Sequence, residues 1–375
     1  MHVVILGSHP ANSPSMLRYT SLLAAAYQRL GHQVTLMQPG DGLSRRISSP
    51  RAKKMAAYFE QLIAFPLTAF RVRSQADLTH IADHSDSPWL FSAPKSWPTL
   101  VTCHDLFGVR ASLGEIPEHK PKLPGRTYQS VIRRGLRRAT WIVAVSDTTL
   151  GDIYRLFPQV DASRIYNPIA GTLSAQAVNP SGGGQSALIV GSTGWRKRRD
   201  ISLQVWLEIR RTSVFPSIKL EIVGPPLTDS ELELLNRAQV PITEVVVHND
   251  ISDEELSYLY ANASFLIQMS KYEGFCWPIL EANRHGVLAV CADEPILRET
   301  GEGNVFIRPD FNDTNWTVIA ETLSSSSAKE NVLRRTSQFD EPTFDRALRT
   351  LHSDLKLTAK RNKDLQVDSL EEAMD

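Results

Sequence analysis

Short aliphatic runs alternate with helical segments along this chain, and this alternation restricts the fold more than any other feature. The first run, His2–Gly7, precedes a polar loop, a segment with helical apolar spacing that ends at Gly31, and a second run, Gln33–Met37. A strand, a helix and a further strand in this order predict parallel pairing, because the crossover helix returns the chain to the starting end of the sheet. We therefore expect an α/β fold built on doubly wound parallel sheets.

The alternation occurs twice. Residues 169–186 are rich in Gly, Ser and Pro and lack periodicity, which is typical of a connector. The strand and helix pattern then restarts at Ala187–Gly191. We expect two Rossmann-like domains that face a cleft, followed by a terminal helix that crosses back to the first domain and a charged, disordered tail. The expected bounds are 1–168 and 187–340 for the domains, 341–358 for the helix and 359–375 for the tail.

Charge is balanced over the 375 residues but not between the halves. Residues 1–168 hold 20 Lys and Arg against 11 Asp and Glu, whereas the remainder holds 21 against 30. A basic half suggests that this part meets an anionic partner: a membrane surface, a lipid-linked acceptor or a nucleic acid. The apolar runs fall short of the roughly 20 residues of a membrane span, and the N-terminus lacks a signal-peptide pattern. We expect a cytoplasmic protein.

One basic segment is also amphipathic. Cations surround the apolar stretch MAAYFEQLIAFPLTAF at 55–70, among them Arg45, Arg46, Arg71 and Arg73. Such a segment suits an anionic membrane surface, and an ordinary helix with a solvated basic face fits the pattern equally well. The cysteines, Cys103, Cys276 and Cys291, form no CxxC and predict reduced thiols.

A pair of carboxylates follows the apolar run Phe265–Met269. Glu273 and Glu281 lie eight residues apart, with Gly274 in the loop between them and Pro278 where a helix would begin. A strand, a Gly-containing loop and a helix start present free backbone N–H groups to an anion, and carboxylates beside it would bind hydroxyl groups. The arrangement suits a nucleotide-sugar. The same sequence is also compatible with a surface loop in which both glutamates are solvated.

Other polar residues stand at predicted strand ends, where open α/β sheets bind ligands. His104 and Asp105 follow the run Thr99–Cys103, and His80 falls within an earlier run. A histidine in this position is structural more often than catalytic. In the second half, Arg196 and Lys197 open the loop that follows Ala187–Gly191. Positive charge opposes the dipole at a helix start, so this run favours a phosphate partner.

With these elements in order, the chain resembles glycosyltransferase family 4, retaining enzymes of the GT-B fold that transfer a sugar from a nucleotide-sugar. The motif EGFCWPILEA, with its E-x7-E spacing, carries most of the resemblance, which is strongest over residues 187–310 and weaker over 1–168. It implies a hexose-type transfer to a glycan or lipid-linked acceptor in cell-surface polysaccharide or glycolipid synthesis.

The resemblance also implies residue roles. Glu273 and His104 would contact the donor sugar, Arg196 and Lys197 would neutralise the departing diphosphate, and Glu281 would hold the ribose hydroxyls. Further contacts are implied for the donor at Gly274, Phe275, Cys276, Trp277, Ile279, Asn249 and Ile251. Residues near the phosphate or acceptor would be Ser13, Ser15 and Asp105.

The chain departs from the family pattern at Cys276 and Trp277, where Gly-Leu is common, and its first loop lacks the usual glycine pair. No D-x-D triplet occurs in the chain, so we expect cationic side chains in place of a metal, with no cofactor beyond a UDP- or GDP-linked co-substrate. Expected partners are the donor, the acceptor and an anionic membrane on its inner face, but no nucleic acid. The alternatives are a GT-B-like epimerase or phosphorylase, and a non-catalytic nucleotide-sugar-binding subunit.

Overall fold

The computed structural model describes residues 1–9, 14–40, 42, 44–49, 52, 55–56, 59–169, 186–312 and 314–355. The chain forms two compact units. The first unit comprises Met1–Val145, Thr149–Pro168 and Glu341–Asp375, and the second comprises Ser146–Thr148 and Ile169–Asp340. The predicted linker and tail lie almost wholly outside the described residues.

Each unit contains one parallel sheet. The strands of the first sheet are β1 His2–Leu6, β2 Gln33–Met37, β3 Leu78–Ile81, β4 Thr99–Cys103, β5 Trp141–Ala144 and β6 Asp161–Arg164. Those of the second sheet are β7 Ser186–Val190, β8 Lys219–Val223, β9 Val245–His248, β10 Ala263–Gln268, β11 Ala289–Ala292 and β12 Val305–Ile307.

Helices connect consecutive strands. They are α1 Pro14–Arg29, α2 Phe65–Arg73, α3 Phe107–Ser112, α4 Leu123–Leu136, α5 Asp147–Leu156, α6 Arg199–Ile209, α7 Asp229–Arg237, α8 Asp253–Asn262, α9 Trp277–Arg284, α10 Pro295–Thr300, α11 Trp316–Ser324 and α12 Ser326–Arg335. Residues 341–355 form a C-terminal helix. Among the described residues, no helix combines the length and the apolar character that crossing a bilayer requires.

The strand order places a switch point in each sheet. The first sheet runs β2-β1-β3-β4-β5-β6, and the second runs β12-β11-β10-β7-β8-β9. The direction in which successive strands are added to the sheet therefore reverses between β1 and β3 in the first unit and between β7 and β10 in the second. Ligands of open α/β sheets bind outside the carboxyl ends of the strands at such a point. The prediction of two Rossmann-like parallel-sheet domains is confirmed.

Burial explains why the strands read as continuous apolar runs. Val3 to Leu6 in β1 and Phe265 to Ile267 in β10 are at most 1% exposed, because helices cover both faces of a parallel sheet. The letters S-x-x-E at 252–255 predict a capping box at the start of α8, and the structure confirms it: the Ser252 side chain accepts from the Glu255 N–H, and the Glu255 side chain accepts from the Ser252 N–H.

The C-terminal helix packs within the first unit. Arg29 pairs with Glu341 at 2.8 Å and with Asp345 at 2.7 Å. The ring of Tyr27 stacks on His352 with centroids 5.3 Å apart. Strand β6 was missed by the sequence analysis, because its residues DASR form an exposed edge strand without an apolar run.

Candidate functional site

The second unit carries most of the predicted site residues, at the carboxyl ends of β7 and β10. Two glycines shape this edge. Gly191 ends β7 with φ 151°, and Gly224 ends β8 with φ 150°. A Cβ on Gly224 would lie 2.2 Å from the Gly191 carbonyl oxygen, so only glycine allows the two strand ends to approach this closely. A small cavity there is lined by residues that include Gly191, Lys197 and Gln268.

Lys197 and Glu273 form the central contact of this edge. Lys197 Nζ donates to Glu273 Oε1 at 2.6 Å, although 76 residues separate them in the chain. Burial by itself would lower the pKa of Lys197, but the Glu273 carboxylate outweighs it and the pKa is raised. Lys197 is therefore a fixed cation at neutral pH, with its charge held beside a carboxylate that can accept hydroxyl groups.

The other cations of the run RKRR have different roles. Arg199 is buried and donates to both carboxylate oxygens of Glu231, at 2.7 and 2.6 Å. Arg198, in the left-handed conformation with φ 47°, donates to Glu294 at 3.3 Å. With Lys197 bound to Glu273, three of the four cations of RKRR form ion pairs. Arg198 and Arg199 were not among the residues predicted to contact the phosphate.

Helix α9 begins in an unusual way. Its N-cap residue, Cys276, has φ 67° and ψ 67° and makes no side-chain cap hydrogen bond. Pro278 lies in the first turn, as predicted. Phe275, Cys276 and Ile279 are buried, whereas Gly274 and Trp277 are half-buried. The N-cap side chain thus makes no conventional cap hydrogen bond at a helix start, which is a place where backbone N–H groups bind anions.

Glu281 differs from Glu273 in its surroundings. It is 3% exposed, and its Oε2 accepts a hydrogen bond from the Tyr260 hydroxyl at 2.8 Å. Tyr260 is itself fully buried and stacks on His285. This support fixes the rotamer of the carboxylate.

The predicted base pocket lies further along the sheet. Asn249 and Ile251 follow β9, which is the edge strand and is separated from β7 by β8. Asn249 is exposed and donates to Asp250 at 3.0 Å, and Ile251 is half-buried. These residues thus share the carboxyl edge with the Lys197–Glu273 pair but are not in the same cluster of contacts.

Two aromatic residues beside the pair were passed over by the sequence analysis. Trp195 is 41% exposed and meets Tyr272 edge to face, with centroids 5.8 Å apart. The Lys271 N–H donates to the Arg196 carbonyl at 2.8 Å, which ties the two loops together. The sequence signal that could have identified Trp195 is its position directly before the basic pair Arg196 and Lys197.

In the first unit, His104 follows β4 and is buried against the Tyr19 ring at 4.6 Å. Its Nε2 donates to the Ala82 carbonyl at 2.9 Å. Because a carbonyl only accepts, the proton of the neutral ring is on Nε2, and Nδ1 is left as an acceptor. Burial lowers the pKa of His104 in spite of the nearby Asp83 carboxylate.

Three other predicted positions in the first unit have local or structural surroundings. Asp105 accepts from the Phe107 N–H at 2.9 Å and so supports the start of α3. Ser15 is exposed in the first turn of α1, and Ser13 lies outside the described residues. His80 is fully buried between the hydroxyls of Tyr27 and Thr102, each at 2.8 Å. Placing His80 at a ligand crevice was therefore wrong.

A buried carboxylate at the switch point of the first sheet was not predicted. Asp86 is 1% exposed and accepts from Ser8 at 2.8 Å and from Gln61 at 3.0 Å. Burial and the charge of Asp83 raise the pKa of Asp86 to about 7. No pattern of neighbouring residues marks Asp86 in the sequence, because its partners are 78 and 25 residues distant.

Two family models match consecutive parts of the chain. The model of Glycosyltransferase Family 4 matches residues 16–170, and that of Glycosyl transferases group 1 matches residues 174–337. Together they span both units and meet at the connector. The chain belongs to glycosyltransferase family 4, and its fold is GT-B.

Relatives agree with this assignment. The chain is 28% identical over 247 residues to O-antigen chain mannosyltransferase B of Escherichia coli, a match that spans 62% of each protein. Two solved structures share the fold: sucrose-phosphate synthase of Thermosynechococcus elongatus (TM-score 0.68, 16% identity) and Anabaena HepE with UDP and glucose (TM-score 0.69, 15% identity). They cover 96% and 94% of this chain, respectively, and each is matched over 100% of its own chain.

Proposed function

We propose that this protein is a glycosyltransferase that moves a hexose-type sugar from a nucleotide diphosphate sugar to a glycan or lipid-linked acceptor. The contact between Lys197 and Glu273 carries the proposal. It joins a cation and a carboxylate at the switch point of the second sheet, and Glu273 lies four residues before the first residue of α9. A donor with both phosphate and hydroxyl groups needs these two kinds of partner side by side.

In the proposed reaction, the bond between the anomeric carbon and the diphosphate breaks, the acceptor hydroxyl oxygen bonds to the same carbon, and the hydroxyl proton passes to the departing diphosphate. Negative charge develops on the leaving diphosphate, and fixed cations stabilise that charge in the transition state. Lys197 and Arg196 supply them, so the reaction is metal-independent and needs no cofactor. His104 contacts the donor sugar, and Glu281 holds the ribose of a UDP- or GDP-linked donor. The configuration of the anomeric carbon is retained, as the family resemblance implies, and the acceptor attacks the same face from which the leaving group departs.

The acceptor class is proposed by analogy with a relative. The E. coli relative is named for an O-antigen chain, which is a cell-surface polysaccharide. A polysaccharide or glycolipid acceptor, a cytoplasmic location and contact of the basic first unit with the inner face of the membrane are consistent with this. Trp195, exposed beside Glu273, suits the apolar face of a sugar ring.

The test is Lys197→Ala. A panel of nucleotide-sugars, screened by thermal shift, first identifies the donor, since a bound ligand raises the melting temperature. With that donor we expect kcat to fall by about 10²-fold or more and nucleoside diphosphate binding to weaken. Arg211→Ala is the matched control, because Arg211 is an exposed cation that pairs with Glu208 on the surface. Wild-type kinetics and affinity in Lys197→Ala would refute the site.

Two other functions keep the fold and change the chemistry. A GT-B-like epimerase would convert the sugar nucleotide without an added acceptor. A phosphorylase would cleave a glycan with inorganic phosphate and release a sugar phosphate. A non-catalytic subunit would bind the nucleotide-sugar and neither transfer nor hydrolyse it. Product analysis of the same reactions separates these outcomes.

A further inference from the structure

An exposed row of large apolar side chains runs along one helical segment of the first unit. It consists of Phe59, Ile63, Leu67 and Phe70, which are 49, 51, 65 and 40% exposed, respectively. The residues are spaced by four, four and three positions. Residues three or four apart share one face of a helix. We call these four side chains the apolar row.

A π-helical turn, Glu60–Ala64, helps to keep the row aligned. It leads directly into α2 with helical backbone on both sides. A π turn contains more residues than an α turn, so the four-residue steps drift less around the helix axis here. The opposite face packs inward: Phe65 and Ala69 are buried, and the Phe65 ring lies 4.6 Å from that of Trp89. The segment therefore has one apolar face in the core and a second apolar face exposed to solvent.

Aromatic side chains extend the surface at the far end of the row. The Phe70 ring lies 5.2 Å from that of Trp97. Phe91, which follows Trp89 and Leu90 in the 84–92 helical segment, is 48% exposed, and the Arg138 guanidinium stands 5.7 Å from its ring. Large apolar surface outside the core usually marks a contact with a partner or a membrane.

Positive charge predominates at the Phe70 end of the apolar row. Residues 61–76 and 87–104 contain Arg71, Arg73 and Lys95 and no Asp or Glu. The carboxylate of Glu60, at the other end of the row, accepts from the Ser44 N–H at 3.2 Å. Arg71 and Lys95 are exposed. Arg73 is buried beneath the Trp97 ring, with its guanidinium 5.9 Å from the ring centroid, and no ion pair joins it to a carboxylate among the described residues. The surface thus presents apolar side chains and uncompensated positive charge together.

We propose that the apolar row inserts into the interface of a membrane that contains anionic phospholipid, with Arg71 and Lys95 facing the headgroups. This deepens the membrane contact of the proposed function by naming the surface and the partner. Insertion of one apolar face and attraction by basic residues are the two contributions that interfacial helices combine. A second copy of the chain would bring the same positive charges together, which disfavours self-association as the occupant.

The experiment measures co-sedimentation of the full chain with vesicles of phosphatidylcholine, with or without phosphatidylglycerol. We expect wild type to bind the anionic vesicles and to be released by salt. Ile63→Glu with Leu67→Glu should weaken binding by about tenfold or more, because each side chain loses its apolar burial. Arg71→Gln with Lys95→Gln should weaken binding to anionic vesicles only.

The matched control places the same charges elsewhere. Tyr258→Glu with Val318→Glu alters exposed apolar residues of the second unit, 61 and 52% exposed, and should bind like wild type. Equal loss in both glutamate variants, or no binding by wild type, overturns the proposal. The proposal is also overturned if the wild type is a dimer that does not bind vesicles and the row variant is a monomer. The apolar row would then be a contact between two copies of the chain.

The measurement needs no substrate, so its result is separate from that of the Lys197 test. Kinetics with a soluble acceptor should be unchanged in the row variant. Vesicle binding without transferase activity would support the membrane contact and refute the proposed reaction. Transferase activity without vesicle binding would support the reaction and refute the membrane contact.

Discussion

Burial gives the two carboxylates of the E-x7-E motif different environments. Glu273 is paired with a cation at the edge of the site, whereas Glu281 is nearly enclosed and held by the Tyr260 hydroxyl. A carboxylate with one oxygen fixed in this way presents the remaining acceptor positions in a defined direction. The same residue type thus serves as half of an ion pair in one position and as a preorganised acceptor in the other.

Glu281→Gln tests the second role. The amide can still accept from Tyr260 but has lost its charge, so we expect nucleoside diphosphate affinity to fall by about tenfold with a small change in stability. Isothermal titration calorimetry and urea unfolding measure the two quantities. Tyr260→Phe is the comparison: it should cost about 1–3 kcal/mol of stability, since a buried oxygen loses its donor. Unchanged affinity in Glu281→Gln would contradict the ribose role.

Cys276 has a backbone conformation that glycine adopts more easily. With φ 67° it is in the left-handed region, which costs a non-glycine residue roughly 1–2 kcal/mol. Burial, more than the nearby Glu273, raises the pKa of its thiol, so the sulfur is expected to be unreactive. The bulk at this family position is therefore accommodated at the expense of backbone strain.

Comparing two substitutions isolates that strain. Cys276→Ala and Cys276→Gly both remove the sulfur, but only glycine relieves the backbone. We expect Cys276→Gly to be more stable than Cys276→Ala by about 1 kcal/mol, measured as the free energy of unfolding in urea. Equal stabilities, or a more stable alanine variant, would show that the left-handed conformation is not strained.

At the scale of elements, the ends of β7 and β8 are held together by a sheet hydrogen bond and by a close approach of their backbones. The Gly191 N–H donates to the Val223 carbonyl at 3.0 Å, and the next residue, Gly224, lies against the Gly191 carbonyl. This contact sets the path of the loop that carries Arg196 and Lys197. Local sequence therefore determines the strands, and a glycine pair across the sheet determines where their loops begin.

Gly224→Ala should separate these strand ends. Its Cβ would overlap the Gly191 carbonyl at 2.2 Å, and neither backbone can move freely. We expect a loss of about 3 kcal/mol or more in stability together with reduced activity. Gly151→Ala in α5 is the control, because a Cβ there meets nothing within 4 Å and should stabilise by up to about 1 kcal/mol. A Gly224→Ala protein as stable as wild type would show that the contact is not rigid.

At the scale of the whole molecule, buried ionisable groups couple folding to pH. An aspartate in an unfolded chain has a pKa of about 3.9, whereas burial and Asp83 raise the pKa of Asp86 to about 7. The folded state therefore retains a proton that the unfolded state releases. This contribution to stability is complete below pH 4 and is lost as the pH rises toward 7.

Asp86→Asn removes this dependence. We expect the stability of the variant relative to wild type to increase between pH 4 and pH 8, by up to about 4 kcal/mol. Buried His80, whose pKa burial lowers to about 3, acts in the opposite direction but is present in both proteins and cancels in the difference. Urea unfolding across this range measures the change. A difference that does not vary with pH would contradict the raised pKa.

Sequence alone determined the class of fold and the locations of the main motifs. Aliphatic runs at β1 and β10, the Gly31 helix end and the Ser252 capping box depend on neighbours a few residues away, so periodicity and cap chemistry identify them. The E-x7-E motif and the basic pair were found for the same reason. What the letters could not supply was which residues of RKRR face the site.

Only the tertiary structure decided that assignment. Arg199 pairs with Glu231, 32 residues away, and Lys197 with Glu273, 76 residues away. Likewise, the buried partners of His80 and Asp86 and the outward face of the apolar row follow from which elements pack together. The physical reason is range: spacing along the chain governs contacts within one or two helical turns, whereas ion pairs and burial depend on distances that only the folded sheets and helices define.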